Sequence, residues 1–403
     1  MNTGFKKIIA ASAASACVLA LGGCSDSGSL MTVDGMEIRN GIYLSFQQTA
    51  YSNAYTEITD AQAEYGDTSE VSDVFSQTIG DMSASEWIKQ NTLEQVLRFV
   101  AVQRLCEENG VALTDEETAY IKSDLSEYWD EENIYMQYFY GFDTMGEYYE
   151  SLGVGEESMR EINIVNELSD MLFLKYYDTD GITPVTDDEF DSYIKENYAS
   201  VKLIEIEFDD YQGLDLDEEA DAEEIQSIRD TAQSYVDRIN GGESFIEIKY
   251  DYDLLNAQND TRVAAEDSYA EETAEDLPDY DEYVQSSVDS ATAEKASSEE
   301  ELDTVISMSS SSLDEDVTEF IWNMNDDSVA ATFETEDSIY VVVRDDILTK
   351  ESWQESNRTT ILSALRSDDY EELLAEEYAD YVVEQNDYLV NTKYAPEKMK
   401  GLE

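Results

Sequence analysis

Of the residue types that carry covalent chemistry, this chain keeps few. Its 403 residues include no histidine, which removes every mechanism in which an imidazole activates a serine or a cysteine. Three cysteines are present. Cys17 lies in an apolar run near the start, and Cys106 ends the helical stretch LRFVAVQRLC, where it reads as a small buried hydrophobe rather than a nucleophile. Carboxylates abound instead: 94 Asp and Glu against 23 Lys and Arg, a formal charge of −71. Such a surface repels phosphate backbones and anionic headgroups, so neither nucleic acid nor a bilayer is expected to bind through basic patches. The densest run, LDLDEEADAEE from Leu214 to Glu224, sets Asp215, Asp217 and Glu219 at alternate positions. Ala220 stands where a calcium loop needs glycine and Gln226 where it needs a bidentate acid, so no metal and no cofactor is expected. The remaining resource is aromatic. There are 28 tyrosines, crowded in IYMQYFYGF, Ile134 to Phe142. Tyr135, Met136, Tyr138 and Tyr140 there, with Tyr148 and Tyr149 beyond, would make an adaptable amphipathic surface of stiff rings and a pliable thioether.

The start of the chain gives an address. Lys6 and Lys7 precede an apolar run, Ile8 to Leu21, and then LGGC, Leu21 to Cys24. A basic region, a short apolar region and small residues make a signal peptide, too short for a stable membrane span. The tetrapeptide resembles the bacterial lipobox. That resemblance implies a signal peptide over 1–23, lipidation of Cys24 and a polar tether over 24–32, holding the protein to the extracytoplasmic face of the cell membrane. Cys106 is then the one thiol left, with no disulfide to form.

The pattern of elements divides the rest. Asp34-Gly35 between short apolar arms predicts a hairpin. Helices follow from Asn40 to Tyr55, after Ser83 and Glu86, after Thr114 and Glu117, and from Glu156 to Tyr177, with Asp60 to Gly80 read as loop. At Gly181 the texture changes. Thr186 and Glu189 cap a short helix, and VKLIEIEF predicts a half-buried strand with Val201 and Leu203 inward and Lys202, Glu205 and Glu207 in solvent. A helix with a clean apolar face, Ile225 to Ile239, and a short one at Phe245 come next. The acidic stretch 256–303 predicts little order. A helix over Leu313 to Met324, a hairpin of Val329–Phe333 with Ile339–Val343, and two helices at Trp353–Leu365 and Tyr370–Val383 complete the series. The fold class is α+β, mainly α.

Three segments give this order a family. TVDGMEIRNGIYL (Thr32 to Leu44), PVTDDEFDSYIKENY with VKLIEIEF, and Leu313 to Asp346 resemble the PrsA-type foldase lipoproteins, relatives of the SurA chaperones. The resemblance implies a helical chaperone lobe over 33–198, completed by C-terminal helices over 350–390 and followed by a tail over 391–403. Between them it implies an inserted small parvulin-like α/β domain over 199–349. It also implies partners: unfolded secreted polypeptides, and the membrane through the lipid anchor. In the family, parvulin domains speed cis/trans isomerisation of X–Pro bonds, whose barrier is about 20 kcal/mol, with a proline pocket and usually two histidines. Those positions fall here on Leu203, Leu313, Trp322 and Tyr340. The apolar pocket is kept and both histidines are gone, which implies a catalytically degenerate domain. An active prolyl isomerase is one alternative, and a solute-binding lipoprotein with two βαβ-rich lobes is another. Whether two copies pair into a homodimer is left open.

Overall fold

A computed structural model describes residues 26, 28–64, 66, 69, 71, 73–208, 222–271, 279–309 and 312–399. Cys24 and most of the acidic run 214–224 therefore lie outside the described residues. The chain forms two compact units, one holding the described residues up to Val185 and again from Leu362, the other spanning Thr186–Ile361. It is mainly helical with small antiparallel sheets. Among the described residues no helix is long and apolar enough to cross a membrane.

The first unit opens with β1 (Ser29–Val33) and β2 (Met36–Arg39), paired antiparallel. Asp34 and Gly35 both take positive φ, 48° and 80°, the turn whose twist suits a two-residue hairpin. Helix α1 (Asn40–Glu64) runs past the expected loop start at Asp60, and a two-stranded ribbon follows, β3 (Thr78–Ile79) and β4 (Met82–Ser83). Ser83 then caps α2 (Ala84–Asn109), accepting from the N–H of Glu86 at 3.2 Å, and Gly110 ends it at φ 66°. Helices α3 (Asp115–Asp130), α4 (Ile134–Tyr140), α5 (Met145–Leu152) and α6 (Glu156–Tyr177) complete this part. Helix α6 packs against α1, α2 and α3, while α5 packs on α3. Cys106 sits in α2, 3% exposed, with its thiol donating to the Leu168 carbonyl at 3.5 Å. Burial pushes that thiol up to about 11, so it stays protonated and inert at neutral pH.

The second unit begins with α7 (Asp187–Asn197), where Thr186 and Glu189 form the reciprocal cap that their spacing predicts. The unit divides from the first at Thr186 rather than at 199, because α7 packs on β5 (Tyr198–Glu207) and beside residues 347–349. Helices α8 (Ala222–Asn240), α9 (Phe245–Glu271) and α10 (Tyr280–Val288) lead to β6 (Thr304–Ser307), α11 (Glu315–Asn323), β7 (Ala330–Glu334) and β8 (Ser338–Asp345). The sheet order is β6-β5-β8-β7, antiparallel throughout. Both faces are covered. Ile204, Val341 and Val343 meet α8 and α9 on one side, and Val201, Tyr340 and Val342 meet α11 on the other. This explains the unbroken apolar run YVVV in β8, which a strand buried on both faces needs.

Three expectations are corrected here. Lys202 does not point to solvent; it is 6% exposed and bound by the carboxylates of Asp345 and Asp303. The acidic stretch expected to lack order is helical in α9 and α10, which pack together. Ala265 and Val284 are buried there, and the Tyr269 ring lies 5.2 Å from Tyr280 and 5.4 Å from Tyr283. A few apolar anchors thus outweigh the composition. Finally, the two closing helices are one, α12 (Glu351–Tyr378). No breaker separates them, and Arg366 with Asp369, 3.5 Å apart, ties the expected gap as an (i, i+3) pair.

The chain then returns to the first unit. β9 (Val383–Gln385) pairs antiparallel with β1. Tyr370 of α12 is buried edge-on against Phe173, 5.5 Å between ring centres, and its hydroxyl donates to the Ser169 carbonyl. Gln47 donates to the Tyr394 carbonyl at 2.9 Å. This unit is thus made from both ends of the chain.

Candidate functional site

In the second unit, Leu203, Leu313, Trp322 and Tyr340 come together in a single apolar layer between α11 and the sheet. The strand register puts Leu203 opposite Val342 and Tyr340 opposite Glu205. Helix α11 is positioned by Arg344 of β8, whose guanidinium donates to the carbonyls of Ile321, Trp322 and Met324 at 2.9–3.0 Å and lies 5.9 Å from the Trp322 ring. A cation at a helix C-terminus satisfies orphan carbonyls and suits the dipole. Phe320 and Phe333 stack at 4.8 Å. Tyr340 is 5% exposed and donates its hydroxyl proton to Glu205 Oε1 at 2.5 Å, where Ser338 also donates at 2.9 Å. Burial first, and the Glu205 carboxylate next, push the phenol well above its ordinary pKa. That hydroxyl is a committed donor, held by a carboxylate rather than turned to a peptide bond.

The same unit holds an ion cluster that the sequence did not announce. Lys202 binds Asp345 and lies 3.3 Å from Asp303, while Lys350 lies 2.5 Å from Asp303 and 3.4 Å from Asp345. Burial alone would lower the Lys202 pKa, but these carboxylates raise it on balance. Asp345 is held below the usual carboxylate range by Lys202 and Ser328, against the pull of burial. The cluster joins β5, β8 and the segment before β6.

The first unit carries a different kind of surface. At seven residues α4 is too short to form by propensity, yet both of its ends are fixed. Asn133 accepts from the N–H groups of Tyr135 and Met136 at 2.9 and 3.4 Å. Gly141, at φ 75°, closes the other end. The N–H of Asn133 donates to the Asp143 carbonyl at 2.9 Å, and Glu132 bridges Thr144. Rings continue from there into the unit. Tyr140 lies 4.9 Å from Tyr148, Tyr148 lies 5.4 Å from Tyr149, and Tyr149 stacks at 5.9 Å on Trp129, which is 5% exposed. Gly146 lets α5 come close, since a Cβ there would meet Trp129 Cδ1 at 2.5 Å.

The outer end of this belt is bare. No residue of α4 is buried. Tyr135 is 71% exposed, Tyr138 82% and Tyr140 55%, while Met136 is half-buried. Ile134 and Phe139, beyond the candidates that the sequence singles out, are 75% and 68% exposed. The signal was there to read. In IYMQYFY the lone polar amide is Gln137, so no rotation of a seven-residue helix can bury its apolar side chains together.

No protein-family model matches this chain, and no curated protein does. Among solved structures it is similar to the crystal structure of foldase protein PrsA from Streptococcus pneumoniae str. Canada MDR_19A, at 15% identity over 75% of this chain and 91% of that one, with a TM-score of 0.28.

Proposed function

We infer that the chain is a lipid-anchored extracytoplasmic chaperone that shelters unfolded exported polypeptides, and that its second unit is a scaffold without working prolyl isomerase machinery. The observation that carries this reading is α4, a helix clamped at both ends that leaves its rings in water. A monomer rarely keeps such a patch unless something covers it, and exposed Tyr and Met suit varied partners held weakly. The degenerate-isomerase part rests on the absence of histidine from the sequence and on the engagement of the Tyr340 hydroxyl by Glu205. The solute-binding alternative requires βαβ units, whereas every strand pair among the described residues is antiparallel.

The test is aggregation of a denatured secreted protein diluted into buffer, with and without the full chain, beside a proline-peptide isomerisation assay. Suppression of aggregation with no acceleration of isomerisation is the expected pair of results. Failure of the first overturns the chaperone reading, and clear acceleration abolished by Trp322→Ala replaces it with the isomerase. Anchoring is tested separately: Cys24→Ser should release the protein from the membrane fraction and abolish fatty-acid labelling.

A further inference from the structure

The aromatic patch on α4 sits in a field of one sign. From Asp115 to Leu152 the chain carries eleven acidic residues and a single basic one, Lys122. Glu131 and Glu132 immediately precede α4, and Asp143 and Glu147 follow it; the first three are exposed, as is Glu147. The donors that reach the last two are neutral. Gln137 donates to Asp143 at 3.0 Å, and the Asp143 N–H donates to Glu147 at 3.1 Å. Their charge is left for a partner.

Ring faces are themselves electronegative, so a cation above one is attracted, and more strongly where water is displaced. The second unit already uses this pairing: the Arg358 guanidinium lies 4.8 Å from the Phe190 ring, and Lys295 lies 5.5 Å from that of Tyr250. Lys and Arg also carry long aliphatic stems that cover apolar surface while the charged head stays hydrated. A segment with these residues between apolar ones would lay stems and apolar groups on Tyr135, Tyr138 and Phe139 and present its heads to Glu131, Glu132, Asp143 and Glu147. An acidic or purely polar segment would meet repulsion, or leave the rings uncovered.

Resting on the chaperone reading above, we propose that the α4 surface selects its clients by charge, taking unfolded segments that carry Lys and Arg among apolar residues. An anionic bilayer is repelled by the same carboxylates.

The test uses the full chain and three fluorescent unfolded peptides of equal length and identical apolar residues, whose spacer positions are Lys/Arg, Ser/Gln or Asp/Glu. Anisotropy titrations at low salt should rank them in that order, with about tenfold between the first and second, the yield of one or two ring–cation contacts with nearby carboxylates. The gap should shrink at about 0.15 M salt, where exposed charges are screened. The triple variant Tyr135→Ser/Tyr138→Ser/Phe139→Ser keeps every charge and should lose most of the cationic preference. The pair Glu131→Lys/Glu132→Lys keeps the rings and should weaken the Lys/Arg peptide while strengthening the Asp/Glu one. Equal affinity for the three peptides overturns charge selection but leaves the chaperone reading standing if aggregation is still suppressed. An undiminished preference in the triple variant overturns the site, because bulk charge alone would then be responsible. Tighter binding to anionic vesicles than to the Lys/Arg peptide also overturns it. Loss of both peptide binding and aggregation suppression sinks the chaperone reading itself.

Discussion

Helices α4 and α11 are built from similar material. IYMQYFY and EDVTEFIWN both carry large apolar groups; α4 is capped at both ends, and α11 is held at its C-terminal end. In α11 Val317 and Ile321 are fully buried, Trp322 is half-covered, and Arg344 holds the last carbonyls. In α4 nothing is buried, and its caps are helped only by edge contacts such as Tyr140 with Tyr148 and Gln137 with Asp143. The difference lies in what each helix faces. Helix α11 lies on a sheet that offers Val201, Tyr340 and Val342, whereas α4 is held out on its turns and on a ring belt that reaches the interior at Trp129 and, through Tyr148 and Tyr149, at Leu152 and Val154. Aromatic content therefore does not decide whether a segment is core or contact surface. The presence of a complementary layer decides it. A residue that stabilises in α11 should be nearly neutral to stability in α4.

That contrast can be broken at several points. The largest effect is expected for Tyr340→Ala, which removes a buried ring and takes one hydroxyl donor from Glu205, leaving that of Ser338. Urea unfolding should show a loss of about 3–5 kcal/mol. A loss under about 1 kcal/mol would mean that the α11 layer is not core.

Next comes Lys202→Met. It strips Asp345 of its nearest cation and Asp303 of its second-nearest while Lys350 remains, so a loss of about 2–4 kcal/mol is expected. The pH dependence sharpens the test. Asp345 titrates below its ordinary value in the fold, so its contribution is present above about pH 4 and lost as pH falls through the folded pKa. Lys202 is raised, so its contribution is present below about pH 10.4 and lost as pH rises through the folded value. The variant should flatten the acid limb of a stability–pH curve relative to the parent. An unchanged acid limb would assign that limb to other carboxylates.

Gly146→Ala is expected to cost about 1–3 kcal/mol, because the new methyl has to displace Trp129. It should also weaken peptide binding by tilting the belt. Smallest of all in stability is Tyr138→Ala, within about 0.5 kcal/mol of the parent. Its effect should appear in aggregation suppression instead. A large stability loss there would show that the ring has a partner within its own unit beyond the edge-on Phe139, 5.0 Å away.

The sequence made local structure plain wherever the signal was local. The Asp34-Gly35 turn, the Thr186–Glu189 cap and the β7–β8 hairpin are set by neighbouring residues and appear as expected. Long-range compensation was hidden. Nothing near Lys202 in the sequence announces Asp303 or Asp345, so a buried lysine looked like a solvated one. In α9 and α10 the acidic composition masked a handful of anchors that become anchors only when two helices meet. Leu203, Leu313, Trp322 and Tyr340 fall into one cluster, but the Glu205 carboxylate that engages Tyr340 could not be read without the strand register.

The pairing of β9 with β1 has a temporal consequence. Strand partners separated by some 350 positions (Val33 with Val383) cannot join until the later one has emerged from the ribosome. Loop closure over such a span makes this lobe a late-forming body. A nascent copy would thus lack a finished first unit until Gln385 had been made, and products truncated before β9 would never acquire one.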